Sequence, residues 1–297
     1  MTTRNMNFLI KVVIATLCMG SSFPTGKYLI SYENMPPFLM GGWRFMAAGL
    51  FMLLIPVFTR GVQAIIPTSE GSVTKGLLLT AVVGALQTTG TMGFLNLALE
   101  SVTSSMSSII LFTNPLWLAV LAHYLLHDKL NKRKIISLII GVAGVIVCLG
   151  LESVKGGTGL FYAFLGSICW AVCTVVSKRF VFDKDSWVFT GWQLFLGALF
   201  MLIIAWIRHE KYDIGDLQTW GWVWFIWLIL PASVGSFGLW FSALRQGGAT
   251  LASGFLFLVP LFSTIFSIFT LHDGLSIQLI IGGCLIVLSL FLLNREY

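Results

Sequence analysis

The stretch SSMSSIILFTNPLWLAVLAHYLLHDKLN, residues 104–131, has a second version, ATLASGFLFLVPLFSTIFSIFTLHDGLS, at residues 249–276. In each version a proline interrupts the apolar run and a His-Asp pair closes it. The prolines are Pro115 and Pro260, and the pairs are His127-Asp128 and His272-Asp273. Both markers recur after 145 positions. A shared spacing between a helix-distorting residue and a polar stop indicates an internal duplication.

The composition excludes an ordinary soluble domain. Hydrophobic residues make up 57% of the chain and charged residues only 10%, whereas soluble domains carry about 25% charged residues. Mean hydropathy is +0.91. Long apolar runs separated by short polar joints are typical of helical proteins that cross a membrane several times. The five cysteines fall inside apolar runs, so neither a disulfide framework nor a zinc site is predicted, and no cofactor is expected.

Ten transmembrane helices are predicted from the apolar runs. They cover residues 7–30, 38–58, 75–98, 101–122, 133–151, 157–179, 187–207, 220–244, 249–270 and 276–293. The first is interpreted as a helix and not as a secretory signal peptide, because no A-x-A cleavage site follows it. The chain is therefore predicted to be one all-α membrane domain in two halves, residues 1–151 and 152–297. Lys and Arg in the joints favour a cytoplasmic position for both termini.

Further residue pairs extend the duplication. Trp43-Arg44 matches Trp192-Gln193 after 149 positions, and Gly93 matches Gly238 after 145. Each helix therefore has a counterpart five helices later. Because five is odd, the two five-helix repeats are predicted to lie inverted in the bilayer. Inverted repeats are typical of carriers that expose one midplane site to each side of the membrane in turn.

The chain resembles the EamA-type ten-helix bacterial exporters of the drug/metabolite transporter superfamily. The resemblance rests on Trp43-Arg44-Phe45, LNLALESVTSSMSSII (95–110), Asn114-Pro115-Leu116, IIGVAGVIV (139–147) and GSICWAVCTVVSKR (166–179). It implies export of amino acids or related metabolites from the cytoplasm across the bacterial inner membrane, in exchange for a proton or another solute. One departure is that the family usually closes the fourth and ninth spans with Gly-Glu, where this chain has His-Asp.

Polar and aromatic residues inside the spans are the candidate substrate contacts, because polar groups in a bilayer are costly. They are Arg44, Gln87, Asn114, Trp117, Trp170, Gln193 and Trp240. Arg44, at a position where the family commonly has arginine, either attracts a carboxylate or bonds helix-end carbonyls. The tryptophans either line a binding site or fill the core between glycine-rich helices.

Candidate gating residues are the two prolines and two lysines at span ends. Pro115 and Pro260 are either hinges that free a backbone carbonyl or packing kinks. Lys27 and Lys178 either contact substrate at a gate or extend to the membrane surface. Three residues are candidates for proton coupling: His123, Asp128 and Asp273. Because no acidic residue lies at the centre of a span, the alternative to coupling is a facilitator or exchanger.

The sequence thus favours an alternating-access exporter of a small metabolite, with amino acids and their relatives ranked first. A drug or organic-cation exporter ranks lower, because no buried carboxylate is predicted to balance a cation. An intramembrane enzyme is disfavoured, because the chain lacks HExxH and paired intramembrane aspartates. A channel or scaffold is the remaining rival class. The predicted partners are the small-molecule substrate, the lipid bilayer, and a proton or counter-solute; the sequence leaves the oligomeric state open.

Overall fold

A computed structural model describes residues 3–125, 132–149, 157–178, 182–240, 242–243, 255–272, 274 and 276–294. Regular structure within these ranges is helical, apart from an isolated bridge between Ser69 and Ser72. The bounds of the α-helices are α1 Thr3–Ser31, α2 Pro37–Arg60, α3 Val73–Gly84, α4 Gly93–Ser101, α5 Ser104–Leu111, α6 Asn114–Leu125, α7 Lys132–Leu149, α8 Gly157–Lys178, α9 Ser186–Ile207, α10 Thr219–Ile229, α11 236–240, α12 Leu258–Leu271 and α13 Ile277–Asn294. The chain is an all-helical membrane protein, as predicted.

Seven helices in the described ranges are long and apolar enough to cross a bilayer. They are Met6–Ser31, Pro37–Arg60, Val73–Ser101, Ser104–Leu125, Gly157–Ser177, Ser186–Ile207 and Thr219–Trp240. Shorter apolar helices cover Ile135–Gly144, Leu258–Leu271 and Ile280–Ser289. Each of these segments corresponds to one predicted span, with ends that differ by up to four residues in the seven long helices, so the multi-pass prediction is confirmed. That all ten cross the membrane stays a prediction.

Local sequence signals explain where helices begin and end. The Thr103 hydroxyl accepts a hydrogen bond from the Met106 amide at 3.3 Å, and the Asp185 carboxylate accepts one from the Val188 amide at 2.9 Å. Both are N-caps, which satisfy amides that have no partner in the first helical turn. At the other end, His272 adopts a left-handed φ of 55° directly after α12. The second His-Asp pair therefore begins at a helix C-terminus.

Two π-helical segments lie inside long helices at matching positions. Ala85–Met92 connects α3 to α4, and Leu230–Gly235 connects α10 to α11, again 145 positions apart at their first residues. In each segment a hydroxyl donates to the carbonyl five residues earlier, Thr91 to Leu86 at 3.1 Å and Ser233 to Leu228 at 2.7 Å. Such π-helical segments are frequent at functional sites.

The fourth predicted span is interrupted before its proline. Helix α5 ends at Leu111 and α6 begins at Asn114, while the Thr113 amide bonds to the Ile110 carbonyl at 3.1 Å. Pro115 therefore lies in the first turn of α6, where a missing N–H costs little. Pro260 likewise lies in the first turn of α12, after a 3-10 turn at Phe255–Phe257. Each proline thus lies at the start of a helical segment, and the hinge role of both prolines stays a prediction.

Helices α2 and α9 pack antiparallel through reciprocal contacts. Gly42 lies against Leu202, near the C-terminal end of α9, and Gly191, near its N-terminal end, lies against Leu53. The glycine and leucine of α9 follow those of α2 by the same 149 positions. Small residues at such contacts allow close helix approach in membranes.

Helices α7 and α13 also pack antiparallel. The hydroxyls of Ser137 and Ser289 each donate to the other residue's backbone carbonyl at 2.6 Å. One end of the contact is this serine pair, and towards the other end Gly144 lies against the Gly282 carbonyl. Close approach at the glycines therefore joins these two helices along their length.

Candidate functional site

A cavity of about 80 Å³ lies between residues of α1, α2, α4, α5, α8, α9, α11 and the two π-helical segments. It holds room for several water molecules. Five of its lining residues are polar: Ser22, Arg44, Gln87, Thr88 and Ser236. The rest of the wall is apolar, so the polar groups are concentrated in a largely apolar enclosure, as expected for a ligand site.

Arg44 is the charged residue of this cavity wall. It is 6% exposed, its Nε donates to the Ser233 hydroxyl at 3.0 Å, and its guanidinium carbon lies 4.5 Å from the centre of the Phe45 ring. No carboxylate in the described residues forms an ion pair with it. A buried cation within a membrane is costly unless an anion or water balances it. The terminal nitrogens are therefore suited to bind an anionic group in the cavity.

The position matching Arg44 in the other half has a different role. Gln193 is 7% exposed, and its backbone carbonyl accepts a hydrogen bond from the Thr88 hydroxyl at 3.2 Å. Thr88 and Ser233 occupy matching places in the two π-helical segments. Thr88, in the first half, therefore bonds to α9 of the second half, and Ser233, in the second half, bonds to α2 of the first half. Gln193 itself does not line the cavity.

Aromatic rings form the apolar side of the cavity. Trp170 on α8 meets the Phe112 ring edge-on at 5.3 Å between centres, and Phe112 lies 6.2 Å from Phe23. All three residues line the cavity. Of the predicted contacts, the structure thus brings Arg44, Gln87 and Trp170 together.

Three other predicted contacts lie away from this cavity. Asn114 is buried at the first residue of α6. The Trp117 indole donates to the Thr113 hydroxyl at 3.1 Å and meets Phe164 edge-on at 4.9 Å. Trp240 packs in an apolar cluster around the first part of α1. These positions support packing, and their substrate role stays an untested prediction.

The predicted gating and coupling residues are dispersed. Lys27 Nζ donates to the Leu99 carbonyl at 2.5 Å, near the C-terminus of α4, where a cation stabilises the helix dipole. Lys178 is the last residue of α8, and its side chain lies outside the description. His123, in the last full turn of α6, meets the Tyr124 ring at 5.0 Å. Asp128 and Asp273 lie outside the described residues.

Polar contacts join loops at one end of the described helices. Arg60 and Asp185 form an ion pair at 2.8 Å, and the Asp183 carboxylate accepts from the Gly71 and Glu70 amides at 2.9 and 3.1 Å. The hydrogen bond from the Gly71 amide is the main cause that lowers the pKa of Asp183 below its ordinary value. The joint after α2 is therefore fastened to the joint before α9.

At the N-terminus of α2, the Glu210 carboxylate accepts hydrogen bonds from the Phe38 and Leu39 amides at 3.1 and 2.9 Å. It also accepts from Arg208 at 3.0 Å. Sequence reasoning missed this contact, because Glu210 is far from α2 in the chain.

In the described part of the chain, no group of three His, Cys, Asp or Glu side chains is placed to bind a metal ion.

Comparisons with known proteins agree with this architecture. The profile of the EamA-like transporter family matches residues 6–150 and again residues 157–295. An uncharacterized transporter of Bacillus subtilis, YyaM, is 24% identical over 96% of this chain and 93% of its own length. Another, YoaV, is 26% identical over 96% and 95%. The WAT1-related chloroplastic protein At3g02690 of Arabidopsis thaliana is 27% identical over 87% of this chain and 63% of its own.

A solved structure, 17% identical over 99% of this chain and 98% of its own, superposes with a TM-score of 0.64, which supports the fold. The family profile covers nearly all of the chain, and both Bacillus subtilis relatives carry the name transporter. The resemblance noted in the sequence is thereby confirmed, and the chain is a multi-pass membrane protein that belongs to the EamA-like transporter family, consistent with the drug/metabolite transporter superfamily.

Proposed function

We propose that this protein is an alternating-access carrier that exports small carboxylate-bearing metabolites, amino acids or their relatives, from the cytoplasm. The main support is Arg44, a buried guanidinium that lines a cavity and has no ion-pair partner among the described residues. A substrate carboxylate would supply the missing charge, since arginine binds carboxylates through two parallel hydrogen bonds. Because Nε is engaged with Ser233, the two terminal nitrogens are the ones that would face the substrate.

The arrangement of the helices supports two inverted five-helix repeats, residues 1–151 and 152–297. The family profile matches the chain twice. The π-helical segments occur at matching positions in both halves, and each proline lies in the first turn of a helical segment. Helices α2 and α9, which occupy matching positions, run antiparallel, and so do α7 and α13. Antiparallel counterparts are what an inverted repeat requires.

The position of the cavity supports alternating access. Residues from both halves line it, and Ser233 of the second half holds Arg44 of the first. A rocking movement of one half against the other would therefore change the surroundings of the guanidinium directly. The π-helical segments place their hydroxyl contacts at this junction between the halves. The lysine and arginine bias favours both termini in the cytoplasm of a bacterial inner membrane. Outward transport is proposed from the resemblance to exporters.

Counterflow into proteoliposomes tests this function. Wild-type protein is expected to exchange a radiolabelled member of an amino-acid panel, and Arg44→Gln to reduce this exchange strongly. Arg60→Gln is the matched control, because Arg60 lies at the end of the same helix, 60% exposed, in a surface ion pair. Its activity is expected to match the wild type, since such pairs contribute little.

The runner-up, an organic-cation exporter, makes the opposite prediction. It would show flux of quaternary ammonium compounds that Arg44→Gln leaves unchanged or increases, because the guanidinium repels a cation. Flux through wild-type protein that unlabelled substrate on the opposite side does not stimulate would instead indicate a channel. Running the panel with and without a pH gradient distinguishes proton coupling from exchange or facilitation.

A further inference from the structure

A second, larger space lies beside the central cavity and shares one wall with it. This apolar groove of about 720 Å³ lies between α5, α12 and α13. Its lining is aliphatic and aromatic except for Thr264 and Cys284. Leu261 and Phe291, on its rim, are each 53% exposed. Because α12 and α13 are apolar helices of a membrane protein, the groove is suited to lipid-like groups.

Phe112 separates the groove from the cavity. It lines both spaces and is 6% exposed. It lies between α5 and α6, where its backbone (φ −76°, ψ 8°) leaves the α-helix. Its ring contacts Phe23 and Trp170 on the cavity side, whereas Ile109, one turn earlier, contributes to the groove. Among the described residues, Phe112 is thus the residue shared by the apolar groove and the cavity that contains the Arg44 guanidinium.

We propose that the groove binds the apolar tail of an amphiphilic carboxylate whose head group pairs with Arg44, and that Phe112 is the partition this tail passes. The inference rests on the proposed anion-binding role of Arg44. Charge complementarity selects the head, because the cavity lining among the residues that the structure describes contains Arg44 and no acidic residue. The apolar lining selects the tail, since each buried methylene contributes about 0.8 kcal/mol in an apolar environment.

The groove has space for this occupant in the described residues. A Cβ on Gly283 would meet only the end of the Ile109 side chain, at 3.4 Å. A larger side chain there would therefore extend into the groove with little strain on the helices. Gly283→Leu is accordingly a variant that fills the groove and leaves the Arg44 surroundings unchanged.

Photo-crosslinking in phosphatidylcholine nanodiscs tests the proposal. The probe is decanoate with a diazirine near the end of its tail, and mass spectrometry of peptides locates the modified residues. We expect labelling on α12, α13 and Phe112 that unlabelled decanoate suppresses. Arg44→Gln is expected to reduce this suppressible labelling about tenfold or more, because a hydrogen-bonded charge is lost. Gly283→Leu is expected to reduce it as well, and Arg60→Gln to leave it unchanged.

A trimethylammonium probe with the same diazirine tail is the matched ligand control, and it is expected to give no suppressible labelling of the groove. Equal labelling by both probes, or labelling unchanged in Arg44→Gln, would overturn the proposal and leave the groove an ordinary lipid-facing surface. Arg44-dependent amino-acid counterflow without suppressible labelling would sustain the carrier and reject the tail site. Labelling that requires Arg44, in protein without amino-acid counterflow, would support the tail site and reject the amino-acid carrier.

Discussion

The two halves of this chain share a framework but differ in charge at the cavity. In the first half Phe38 lies against Gly93, and in the second Trp187 lies against Gly238, the matching pair of positions. Yet Arg44, which lines the cavity, corresponds to Gln193, which does not. Matching positions therefore share the contacts that hold helices together, whereas the residue that lines the cavity differs between the halves.

The contacts shared by the two halves and the charge that differs between them have separate roles in the proposed carrier. Matching glycine contacts allow both halves to adopt equivalent arrangements, as an alternating-access carrier requires. The Arg44 guanidinium makes the cavity favourable for an anion. A second cation nearby would repel the first and add to the cost of desolvation. Substitutions that make the halves more alike, or more different, test this division.

The largest effect is expected when the charge difference is removed. Arg44→Gln makes the two halves alike at this position and is expected to lower kcat/KM for a carboxylate substrate by about 10- to 100-fold, the loss of a hydrogen-bonded charge pair. Adding Gln193→Arg is not expected to restore transport, because that residue lies outside the cavity wall. Recovery of transport in the double variant would show that both positions serve the site equally.

The packing of α2 on α9 gives the next effect. A Cβ at Gly49 would lie 2.7 Å from the Phe195 amide nitrogen, whereas one at Gly191 would meet the Leu53 side chain at 3.0 Å. Gly49→Ala must move a helix backbone and is expected to destabilise by about 1–3 kcal/mol. Gly191→Ala is expected to cost less, because a side chain can turn aside. Thermal unfolding in detergent checks the order, and equal losses would contradict the described contact.

The two π-helical hydroxyls give a smaller, more selective effect. Ser233→Ala removes the partner of the Arg44 Nε and is expected to raise KM about tenfold with kcat less affected, since bonds to charged groups contribute about 1.5–3 kcal/mol. Thr88→Val removes a cavity-lining hydroxyl and its bond to the Gln193 backbone, but leaves the Arg44 contact intact. It is expected to lower stability by about 0.5–1.5 kcal/mol and to change KM less than Ser233→Ala does, because no charged group loses a partner. A similar KM change in both would argue against a one-sided site.

The smallest effect concerns the loop contacts of Asp183. Its pKa is lowered, mainly by the Gly71 amide, so its contribution to stability is present above the ordinary aspartate pKa of about 3.9 and is lost as pH falls through the lowered value. The stability difference between wild type and Asp183→Asn is therefore expected to be equal at about pH 7 and pH 5 and to shrink below about pH 4. A difference that grows with acidification would contradict the sign.

Much of the architecture follows from the sequence because a bilayer limits the alternatives. Apolar length predicts a spanning helix, and the long apolar helices that the structure describes overlap the predicted spans. The repeated spacing of Pro115 and Pro260 correctly located two related interruptions. It did not predict that each interruption precedes its proline, because that depends on Thr113 bonding to Ile110 and on the packing around Phe112.

The cavity was only half predictable for a related reason. Charge and polarity singled out Arg44 and Gln87, but depth in the membrane says nothing about which side of a helix faces the centre. On helices that are apolar all round, the direction of Asn114 or Trp117 depends on neighbours distant in sequence. Ser233 was missed as the partner of Arg44, although its match with Thr88 at 145 positions was a usable signal.

Side-dependent accessibility of Gln87 tests alternating access most directly. Gln87 lines the cavity, so Gln87→Cys can be reacted with a membrane-impermeant maleimide from either side of oriented proteoliposomes, with modification of that peptide measured by mass spectrometry. Alternating access predicts that modification from one side dominates without substrate and that a substrate gradient shifts modification to the other side. Equal modification from both sides at once, unchanged by substrate, would indicate a pore and contradict the carrier.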